Sequence, residues 1–323
     1  MEKTLSLGKR RGLSQCADAH SVFNILALDH RQAVKKVFDG RPDPYGEAVA
    51  FKRAVVRALA PVSTAVLLDP AIGAGPCLAD GSLPGGCGLV VTVEASGYAG
   101  PAHARVSRLP QDWSPGQIKR MGASAVKLLV YYHHRAGTAS AMRDLVAQVD
   151  EDCRRLDIPL FLEILTYSPD PDGTKLNPEQ YTEAVVQAAA DLTPIGGDIL
   201  KAEFPVDVKA CPQPEQWFDA CRAVSEASAI PWVLLSAGVD FDVFAQQAEA
   251  ACQQGASGIL AGRAIWKEAL GIPDDDRDRF LAETARARME RLQSIVQQYA
   301  RPFTDLYRCE TLEEEWFGTY PGV

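Results

Sequence analysis

Residues 125–132 read Ala-Val-Lys-Leu-Leu-Val-Tyr-Tyr, an apolar run that carries one charge, Lys127. Residues 198–205 read Asp-Ile-Leu-Lys-Ala-Glu-Phe-Pro and have a similar apolar character around Lys201. Short apolar runs of this length are typical of β-strands that are buried on both faces, as in parallel sheets. The two runs therefore predict a parallel sheet.

The two lysines are unusual in such surroundings. An ammonium group is almost never fully buried without a partner, because the loss of its hydration is costly. Burial lowers the pKa of a lysine, which makes its amine a better nucleophile. The alternative is a structural lysine that is paired with a carboxylate. The rest of the sequence favours a functional role for Lys127 and for Lys201.

Strand candidates alternate with stretches of helical periodicity along the chain. The strand candidates are residues 24–29, 65–69, 88–94, 125–132, 159–165, 198–205, 231–238 and 258–263. The clearest helical stretches are residues 47–59, 142–156, 178–191, 214–227 and 242–254. A strand and a helix repeated eight times, with no change of composition, predict a closed parallel (β/α)8 barrel, the TIM barrel.

We expect a single domain over residues 1–323. Its barrel core covers about residues 24–270, a length that such barrels commonly use as one domain. Residues 271–323 are interpreted as a C-terminal helix and tail. The barrel would therefore carry helical extensions at both ends.

The segments outside the regular repeat are interpreted as follows. Residues 1–23 are predicted to form a helix or plug at the bottom of the barrel. Residues 264–270 resemble the eighth helix, and residues 276–299 are predicted to form a long amphipathic helix on the barrel flank or at a subunit interface. The acidic, aromatic tail, residues 304–323, is predicted to be an arm or a lid.

The composition argues against several kinds of partner. The 323 residues are 47% hydrophobic and 23% charged, which is ordinary for a globular protein with a sizeable core. A net charge of −9 argues against nucleic acid or an anionic membrane as a partner. No apolar run approaches the roughly 20 residues that span a bilayer, and residues 1–20 lack the pattern of a secretory signal. We therefore expect no nucleic-acid or membrane partner and a cytoplasmic location.

Cysteine and histidine usage gives no sign of a metal site. The eight cysteines are scattered and form no C-x-x-C pair, so they are predicted to be reduced thiols in the core. The five histidines lack the H-x-H and H-E-x-x-H spacings of zinc sites. His133 and His134 follow a strand and are expected on a loop surface. We expect no metal and no other cofactor.

A polar or charged side chain lies at or near the carboxyl end of every predicted strand. In (β/α)8 barrels the catalytic residues lie at this end, where eight loops converge. A chance distribution would leave several strands with only apolar ends, so the convergence predicts a functional site. The residues are Asp29, Asp69, Glu94, Lys127, Glu163, Lys201, Ser236 and Arg263.

The last two strands end in Ser236-Ala237-Gly238 and Ala261-Gly262-Arg263. Small residues let backbone N–H groups approach an anion, and a following helix N-terminus adds a favourable dipole. Arg263 adds a planar, permanently charged group that suits phosphate. These segments predict a phosphate cradle; the alternative is two glycine-containing turns and a surface arginine.

Three further residues have both a functional and a structural interpretation. Glu163 lies in an apolar run and could shuttle protons, pair with a lysine, or do both; burial and a neighbouring ammonium group would leave its pKa tunable toward neutral pH. Asp29 could contact a ligand or cap a helix. His30 is expected to donate or accept a hydrogen bond to a ligand, since no second histidine is placed to share a metal with it.

The segments that carry these residues occur in order from about residue 20 to 270. They are Leu-Ala-Leu-Asp-His-Arg (26–31), Val-Leu-Leu-Asp-Pro (66–70), Glu-Ala-Ser-Gly-Tyr (94–98), residues 125–132, Phe-Leu-Glu-Ile-Leu-Thr-Tyr (161–167), Ile-Leu-Lys-Ala-Glu-Phe-Pro-Val (199–206), Leu-Ser-Ala-Gly-Val (235–239) and Ala-Gly-Arg-Ala-Ile-Trp (261–266). As a set they resemble the class I tagatose 1,6-bisphosphate aldolase family. His30 stands where that family usually has Gln, and Gly262–Trp266 followed by Gly271-Ile272-Pro273 is similar to the related sulfofructose-phosphate aldolases.

The resemblance implies a metal-free aldolase on a (β/α)8 barrel. Lys201 would be the Schiff-base lysine, Lys127 the cation beside it and Glu163 the acid/base. The other site residues would bind substrate: Asp29, His30, Arg31, Asp69 and Glu94. A phosphate of the substrate would be held by Ser236, Gly238, Gly262 and Arg263.

The expected reaction is cleavage of a ketose (bis)phosphate, first of all tagatose 1,6-bisphosphate, into dihydroxyacetone phosphate and glyceraldehyde 3-phosphate. Arg31 is the first candidate for a second anionic group of that substrate. Fructose 1,6-bisphosphate, a sulfofructose phosphate or another ketose phosphate are alternative substrates. Alternative classes are a zinc-dependent aldolase, a pyridoxal-phosphate enzyme and a non-catalytic barrel that binds sugar phosphates. The predicted C-terminal helix suggests a homo-oligomer.

Overall fold

The computed structural model describes residues 3–320 of the chain. Eight of its strands form a closed parallel barrel in which neighbours follow chain order and the last pairs with the first. This confirms the predicted (β/α)8 fold. The strands are β1 (Lys3–Leu5), β2 (Phe23–Leu28), β3 (Ala65–Leu68), β4 (Gly88–Thr92), β5 (Ala125–Tyr131), β6 (Leu160–Leu165), β7 (Ile199–Ala202), β8 (Trp232–Leu235), β9 (Gly258–Ala261) and β10 (Tyr307–Cys309), of which β2 to β9 form the barrel.

Helices surround the barrel, and the longer ones follow the predicted stretches to within a few residues. The connections after β3 and β4 are less regular, since β3 leads into a π-helical turn at residues 70–74 and β4 into a loop that ends only at residue 114. The helices are α1 (Leu7–Cys16), α2 (Gln32–Phe38), α3 (Pro44–Leu59), α4 (Gly75–Ala79), α5 (Pro115–Arg120), α6 (Ala139–Arg155), α7 (Pro178–Leu192), α8 (Pro214–Ala227), α9 (Phe241–Gln253), α10 (Arg263–Trp266), α11 (Asp274–Phe280) and α12 (Arg286–Tyr299).

The strands are apolar on both faces because each face meets a separate core. Along β2, Ile25 and Ala27 belong to the core inside the barrel, whereas Leu26 and Leu28 belong to the core between the barrel and the helices. This follows from the two-residue period of a strand, which sends successive side chains to opposite faces. Any polar residue in such a strand must therefore enter the barrel or the helix layer.

The amino-terminal end of the barrel is closed by the two chain extensions. β1 pairs with β10, and α1 packs below the strands. The ring of Phe303 stacks on Phe23 with a centroid distance of 5.3 Å, and Nζ of Lys9 lies 2.8 Å from a carboxylate oxygen of Asp198. The sequence places residues 1–23 at this end as well. The two chain extensions therefore cover the amino-terminal end of the barrel.

The C-terminal part of the chain corrects one expectation and distinguishes between the alternatives of another. Residues 264–270 are not a full eighth helix, because α10 has only four residues and a 3-10 turn, residues 267–271, follows it. The helix layer next to α9 is filled by α12 instead. Of the two alternatives predicted for residues 304–323, the described part of the tail agrees with an arm and not with a lid, because the hydroxyl of Tyr320 donates to Asp157, which lies just before β6 at the bottom of the barrel. Residues 321–323 of that prediction lie outside the described part of the chain.

Among residues 3–320 no helix is long and apolar enough to cross a membrane. The eight cysteines are all free.

Candidate active site

A cavity of about 400 Å³ opens at the carboxyl end of the barrel. Residues from seven of the eight barrel strands, or from the loops that follow them, line it; only β3 contributes none. The cavity contains every sequence-predicted site residue except Asp69: Asp29, His30, Arg31, Glu94, Lys127, Glu163, Lys201, Ser236, Gly238, Gly262 and Arg263.

The strand period explains why three charged side chains meet inside the barrel. Ala125, Phe161 and Ile199 point into the inner core. The residues two positions further along are Lys127, Glu163 and Lys201, so they point the same way, one layer closer to the opening. The register aligns Glu163 with Lys201 across the β6–β7 pair. Apolar neighbours on the other face hold each strand against its helices.

Glu163 bridges the two lysines. Its Oε2 atom lies 2.7 Å from Nζ of Lys127 and 2.8 Å from Nζ of Lys201. The side chains of both lysines are almost inaccessible, with exposed fractions of 1% and 5%. Two ammonium groups therefore share one carboxylate oxygen in a nearly dry site.

Lys127 has two further acidic partners. Its Nζ atom lies 2.7 Å from Oε1 of Glu94 and 3.0 Å from Oδ2 of Asp29. Burial opposes the charge, but Glu163, Glu94 and Asp29 together outweigh burial and raise the pKa of Lys127 well above its ordinary value. Burial alone would lower the pKa of this lysine, as expected, but the three carboxylates outweigh that effect, so Lys127 is an ammonium group.

The two lysines also change the pKa values of the carboxylates around them. Burial alone would raise the pKa of Glu163, but the ammonium groups of Lys127 and Lys201 hold it below its ordinary value. Against burial, the same two lysines also lower the pKa of Asp29. The expectation of a Glu163 pKa near neutral is therefore wrong for the unliganded site, where Glu163 is a carboxylate.

Lys201 differs from Lys127 in the number of its partners. Within residues 3–320, Glu163 is the carboxylate that lies within ion-pair distance of Lys201, whereas Lys127 has three such partners. Both side chains reach the cavity. Lys201 is thus the less tightly compensated of the two amines.

The loops after β8 and β9 form a concave backbone surface. Ala237 and Gly238 have φ angles of 45° and 80°, so two successive residues adopt the left-handed conformation. A Cβ atom at Gly238 would lie 3.1 Å from the guanidinium carbon of Arg263. The N–H of Gly262 donates to Oγ of Ser236 over 3.1 Å, which ties the two loops together. Glycine at position 238 is therefore needed both for the backbone angle and for the approach of Arg263.

His30 and Arg31 extend this surface toward β2. Burial lowers the pKa of His30 to about 4; Asp29 opposes this effect and Arg263 adds to it, so the imidazole is neutral at pH 7. The ring packs edge-on against Trp266 with a centroid distance of 5.3 Å. Nη2 of Arg31 donates to the backbone oxygen of Glu94 over 2.6 Å. Both side chains line the cavity.

Asp69 lies outside the cavity. It is fully buried in an ion pair with Lys52 of α3, and its Oδ1 accepts the N–H groups of Ala71 and Ile72. Lys52 also donates to the backbone oxygen of Leu28 over 2.6 Å. The expectation that Asp69 contacts substrate is not met by its position, since its carboxylate is used to fix the turn after β3.

Glu203 is a cavity residue that the sequence interpretation missed. It lies two positions after Lys201, so the alternation of β7 continued by one step would have found it. Burial raises the pKa of Glu203 to about 7, against the effect of two hydrogen bonds that Oε2 accepts from the N–H and Oγ1 of Thr166, at 2.7 and 2.9 Å. The cavity therefore holds one carboxyl group that titrates near neutral pH.

The sequence matches a known family over most of its length. The sequence model of the DeoC/LacD family of aldolases matches residues 23–268. The chain therefore belongs to the DeoC/LacD aldolase family, which confirms the family and the class of enzyme predicted from the sequence.

Curated relatives with named activities cover nearly the whole chain. Tagatose 1,6-diphosphate aldolase 2 of Streptococcus pyogenes serotype M3 is 28% identical, over 94% of this chain and 99% of its own. Tagatose 1,6-diphosphate aldolase 1 of Enterococcus faecalis is 28% identical, over 92% and 97%. Tagatose 1,6-diphosphate aldolase of Listeria monocytogenes serotype 4a is 28% identical, over 94% and 96%.

Solved structures share the fold at lower identity. An archaeal fructose 1,6-bisphosphate aldolase is 20% identical with a TM-score of 0.58, over 88% of this chain and 98% of its own. The fructose-bisphosphate aldolase of Plasmodium falciparum is 13% identical with a TM-score of 0.67, over 93% and 98%. These likenesses establish the barrel fold.

Proposed function

We propose that this protein is a Schiff-base aldolase that cleaves a ketose bisphosphate, first of all tagatose 1,6-bisphosphate, with Lys201 as the nucleophile. The observation that carries the proposal is the bridge of Glu163 between two buried lysines at the bottom of the cavity. Lys127 is fixed as an ammonium group by three carboxylates, whereas Lys201 has one such partner and is the lysine that we propose as the nucleophile. The curated relatives named tagatose 1,6-diphosphate aldolase support this substrate.

The first step joins the substrate to the enzyme. The neutral amine of Lys201 attacks the C2 carbonyl of the ketose, a C–N bond forms, and the carbonyl oxygen takes up a proton to give a carbinolamine. Loss of water then leaves a protonated Schiff base, which attracts electrons from the adjacent carbons. Glu163 lies 2.8 Å from the amine and is placed to carry these protons. Lys127 supplies a fixed positive charge that repels a second ammonium group.

The second step breaks the carbon chain. A base removes the proton of the C4 hydroxyl, the C3–C4 bond breaks, and its electrons pass into the Schiff base to form an enamine. Glyceraldehyde 3-phosphate leaves as the aldehyde product. The enamine is then protonated at C3 and hydrolysed, which releases dihydroxyacetone phosphate and regenerates Lys201. Glu163 on β6 and Glu203, which directly follows β7, are carboxyl groups that line the cavity on this side and could act as that base.

The cradle at β8 and β9 fixes the substrate. The N–H groups of Ala237 and Gly238 have no acceptor within residues 3–320, and the guanidinium of Arg263 lies beside them. We assign the C1 phosphate to this place, with neutral His30 at its edge. Holding the phosphate sets C2 against the amine of Lys201, and such positioning can contribute several kcal/mol to catalysis.

Borohydride trapping tests the proposal. The protein is reduced in the presence of tagatose, fructose and 6-sulfofructose phosphates, and the modified peptide is mapped by mass spectrometry. We expect a stable adduct on Lys201 in the wild type and in Lys267→Ala, the control at a more exposed lysine. Lys201→Ala should form no adduct and show no cleavage.

Two outcomes would contradict the assignment. An adduct on Lys127 in the wild type would exchange the roles of the two lysines. Saturable binding of a ketose phosphate without adduct or cleavage would favour the non-catalytic sugar-phosphate barrel.

The predicted cytoplasmic location and homo-oligomeric state are part of this proposal. Eight free thiols agree with a reducing compartment. Light scattering during size-exclusion chromatography measures the oligomeric state directly.

A further inference from the structure

A second cavity of about 350 Å³ lies at the same end of the barrel. It is formed by the loop after β4, which supplies residues 102–105, and the loop after β6, which supplies residues 166–176. Thr166 lines this second cavity and donates two hydrogen bonds to Glu203, which lines the catalytic cavity. The two cavities are therefore neighbours that share a wall.

Arg105 stands in that wall. Its guanidinium carbon lies 4.8 Å from the ring centroid of Tyr98, 5.0 Å from that of Tyr167 and 5.5 Å from that of Tyr131. Tyr131 lines the catalytic cavity and Tyr167 the second one. Three aromatic faces thus hold one guanidinium group in place through cation–π contacts.

The terminal nitrogens of this guanidinium are unused. Nε of Arg105 donates to the backbone oxygen of Ala102 over 3.0 Å. Across residues 3–320, neither terminal nitrogen has a hydrogen-bond acceptor, and no carboxylate lies within ion-pair distance. A guanidinium that is fixed by aromatic rings and has two free donor groups suits an anionic ligand.

The surroundings of Arg105 have the opposite charge balance to the whole chain. The second cavity is lined by two basic residues, Arg105 and Lys175, and by one acidic residue, Asp170. The whole chain carries a net charge of −9. The local excess of positive charge favours an anion at this place.

The barrel topology relates this place to the phosphate cradle. In the closed ring from β2 to β9, β4 and β5 lie opposite β8 and β9. Arg105 belongs to the loop after β4, and Tyr131 ends β5, whereas Gly238 and Arg263 follow β8 and β9. Arg105 therefore lies on the side of the barrel opening that faces the phosphate cradle.

We propose that Arg105 and the second cavity form the subsite for an anionic group, phosphate or sulfonate, at C6 of the substrate. This inference rests on the proposed aldolase function. It differs from the sequence-based expectation of Arg31, whose guanidinium is already hydrogen-bonded to the backbone of Glu94. The tyrosines hold the guanidinium ready, so the anion meets a donor group that is already oriented.

The test compares substrates with and without an anionic group at C6; the two tagatose substrates differ only at C6, whereas 6-sulfofructose 1-phosphate also has the opposite configuration at C4, so each variant is compared with the wild type on the same substrate. Cleavage of tagatose 1,6-bisphosphate, tagatose 1-phosphate and 6-sulfofructose 1-phosphate is measured in the wild type, Arg105→Gln, Arg105→Lys and Arg31→Gln. Arg108→Gln is the matched control, since it makes the same change at an exposed arginine of the same loop.

We expect Arg105→Gln to lower kcat/KM for the substrates with a C6 anion by about 10- to 100-fold, the range for a lost charged hydrogen bond. The value for tagatose 1-phosphate should stay within about threefold of the wild type, because that substrate has no group for the subsite. Arg105→Lys should give an intermediate loss, since it keeps the charge without the planar fork. The relative losses for bisphosphate and sulfonate tell which anion the subsite takes.

Activity on tagatose 1-phosphate also reports that Arg105→Gln is folded. The subsite is refuted if Arg105→Gln lowers kcat/KM equally for all three substrates, lowers none of them, or if Arg31→Gln alone produces the C6-dependent loss. If the wild type cleaves nothing and forms no trapped adduct, the proposed function fails and the subsite falls with it. If the wild type cleaves and the C6 dependence is absent, only the subsite is wrong.

Discussion

Replacement of Lys127 by Met is the most demanding test of the site's electrostatics. The change removes the ammonium group that three carboxylates surround but keeps an unbranched apolar side chain of similar length. Asp29, Glu94 and Glu163 would then be buried around a neutral thioether. Breaking one buried ion pair by removing a partner typically costs about 3–5 kcal/mol, because it leaves an uncompensated charge.

We expect Lys127→Met to lose at least that much stability at neutral pH. For a chain of this size the loss corresponds to a decrease in Tm of roughly 4–7 °C. The carboxyl groups limit the cost by taking up protons, because burial without Lys127 raises their pKa values. Cleavage activity should fall more than about 100-fold, since Glu163 would be neutral and Lys201 would lose the neighbouring charge.

The pH dependence has a definite sign. In the wild type the pKa values of Asp29 and Glu163 are below their ordinary values, so these groups stabilise the fold above the unfolded carboxyl pKa of about 4. That contribution is lost as the pH falls through the folded values. Lys127→Met lacks this contribution of Asp29 and Glu163. The difference in the free energy of unfolding between wild type and variant should therefore be largest at neutral pH and should become smaller in acid.

Urea denaturation at several pH values measures this difference. Lys267→Met, which removes an exposed lysine that is paired with Asp240, is the control and should match the wild type. The double variant Lys127→Met/Glu94→Gln should recover part of the stability, because it removes one of the uncompensated carboxylates. A loss below about 1 kcal/mol, or a difference that widens in acid, would refute the picture of a fixed ammonium group among three carboxylates.

Three further predictions concern other parts of the barrel. Burial raises the pKa of Glu203 from 4.5 to about 7, so this group's contribution to the free energy of unfolding declines as the pH rises from 4.5 to 7. Glu203→Gln should remove this part of the pH dependence, which urea denaturation at several pH values measures. Gly238→Ala should raise KM for a ketose 1-phosphate about tenfold, because a side chain at φ 80° is strained and meets the guanidinium of Arg263; steady-state kinetics checks it, and an unchanged KM would place the phosphate elsewhere. Asp69→Ala should cost about 3–5 kcal/mol by leaving Lys52 buried without its partner, while KM stays within about twofold; a large change in KM with little loss of stability would return Asp69 to the substrate-binding residues.

The period of two along the strands made much of the site predictable. An apolar strand that is interrupted by Lys127, Glu163 or Lys201 can only turn that residue into the barrel or into the helix layer, and the carboxyl ends of the strands meet at one opening. The same rule would have included Glu203, two positions after Lys201. The predicted strand, residues 198–205, included Glu203, but the interpretation took only one polar residue from each strand; in the structure Glu203 follows the last residue of β7.

The position of Asp69 depends on a partner that the sequence does not reveal. Asp29 and Asp69 both follow an apolar strand directly. Lys127 draws Asp29 toward the cavity, whereas Lys52, from the middle of α3, holds Asp69 beneath the turn that begins at Pro70. The position of a residue along a strand predicts which face of the sheet its Cβ atom lies on. It does not show which distant cation will pair with it.

The two buried lysines could not be distinguished by burial, and the structure distinguishes them by the carboxylates around each. Lys127 has three carboxylate partners and Lys201 has one, Glu163, which also pairs with Lys127. Because Glu163 contacts both amines, a proton that leaves Lys201 and a proton that reaches Glu163 are coupled events. A Glu163→Gln variant should lower the plateau of the pH–rate profile, because an amide cannot carry a proton between the amine and the substrate. A Glu163 that acted only as a charge partner would leave the plateau unchanged.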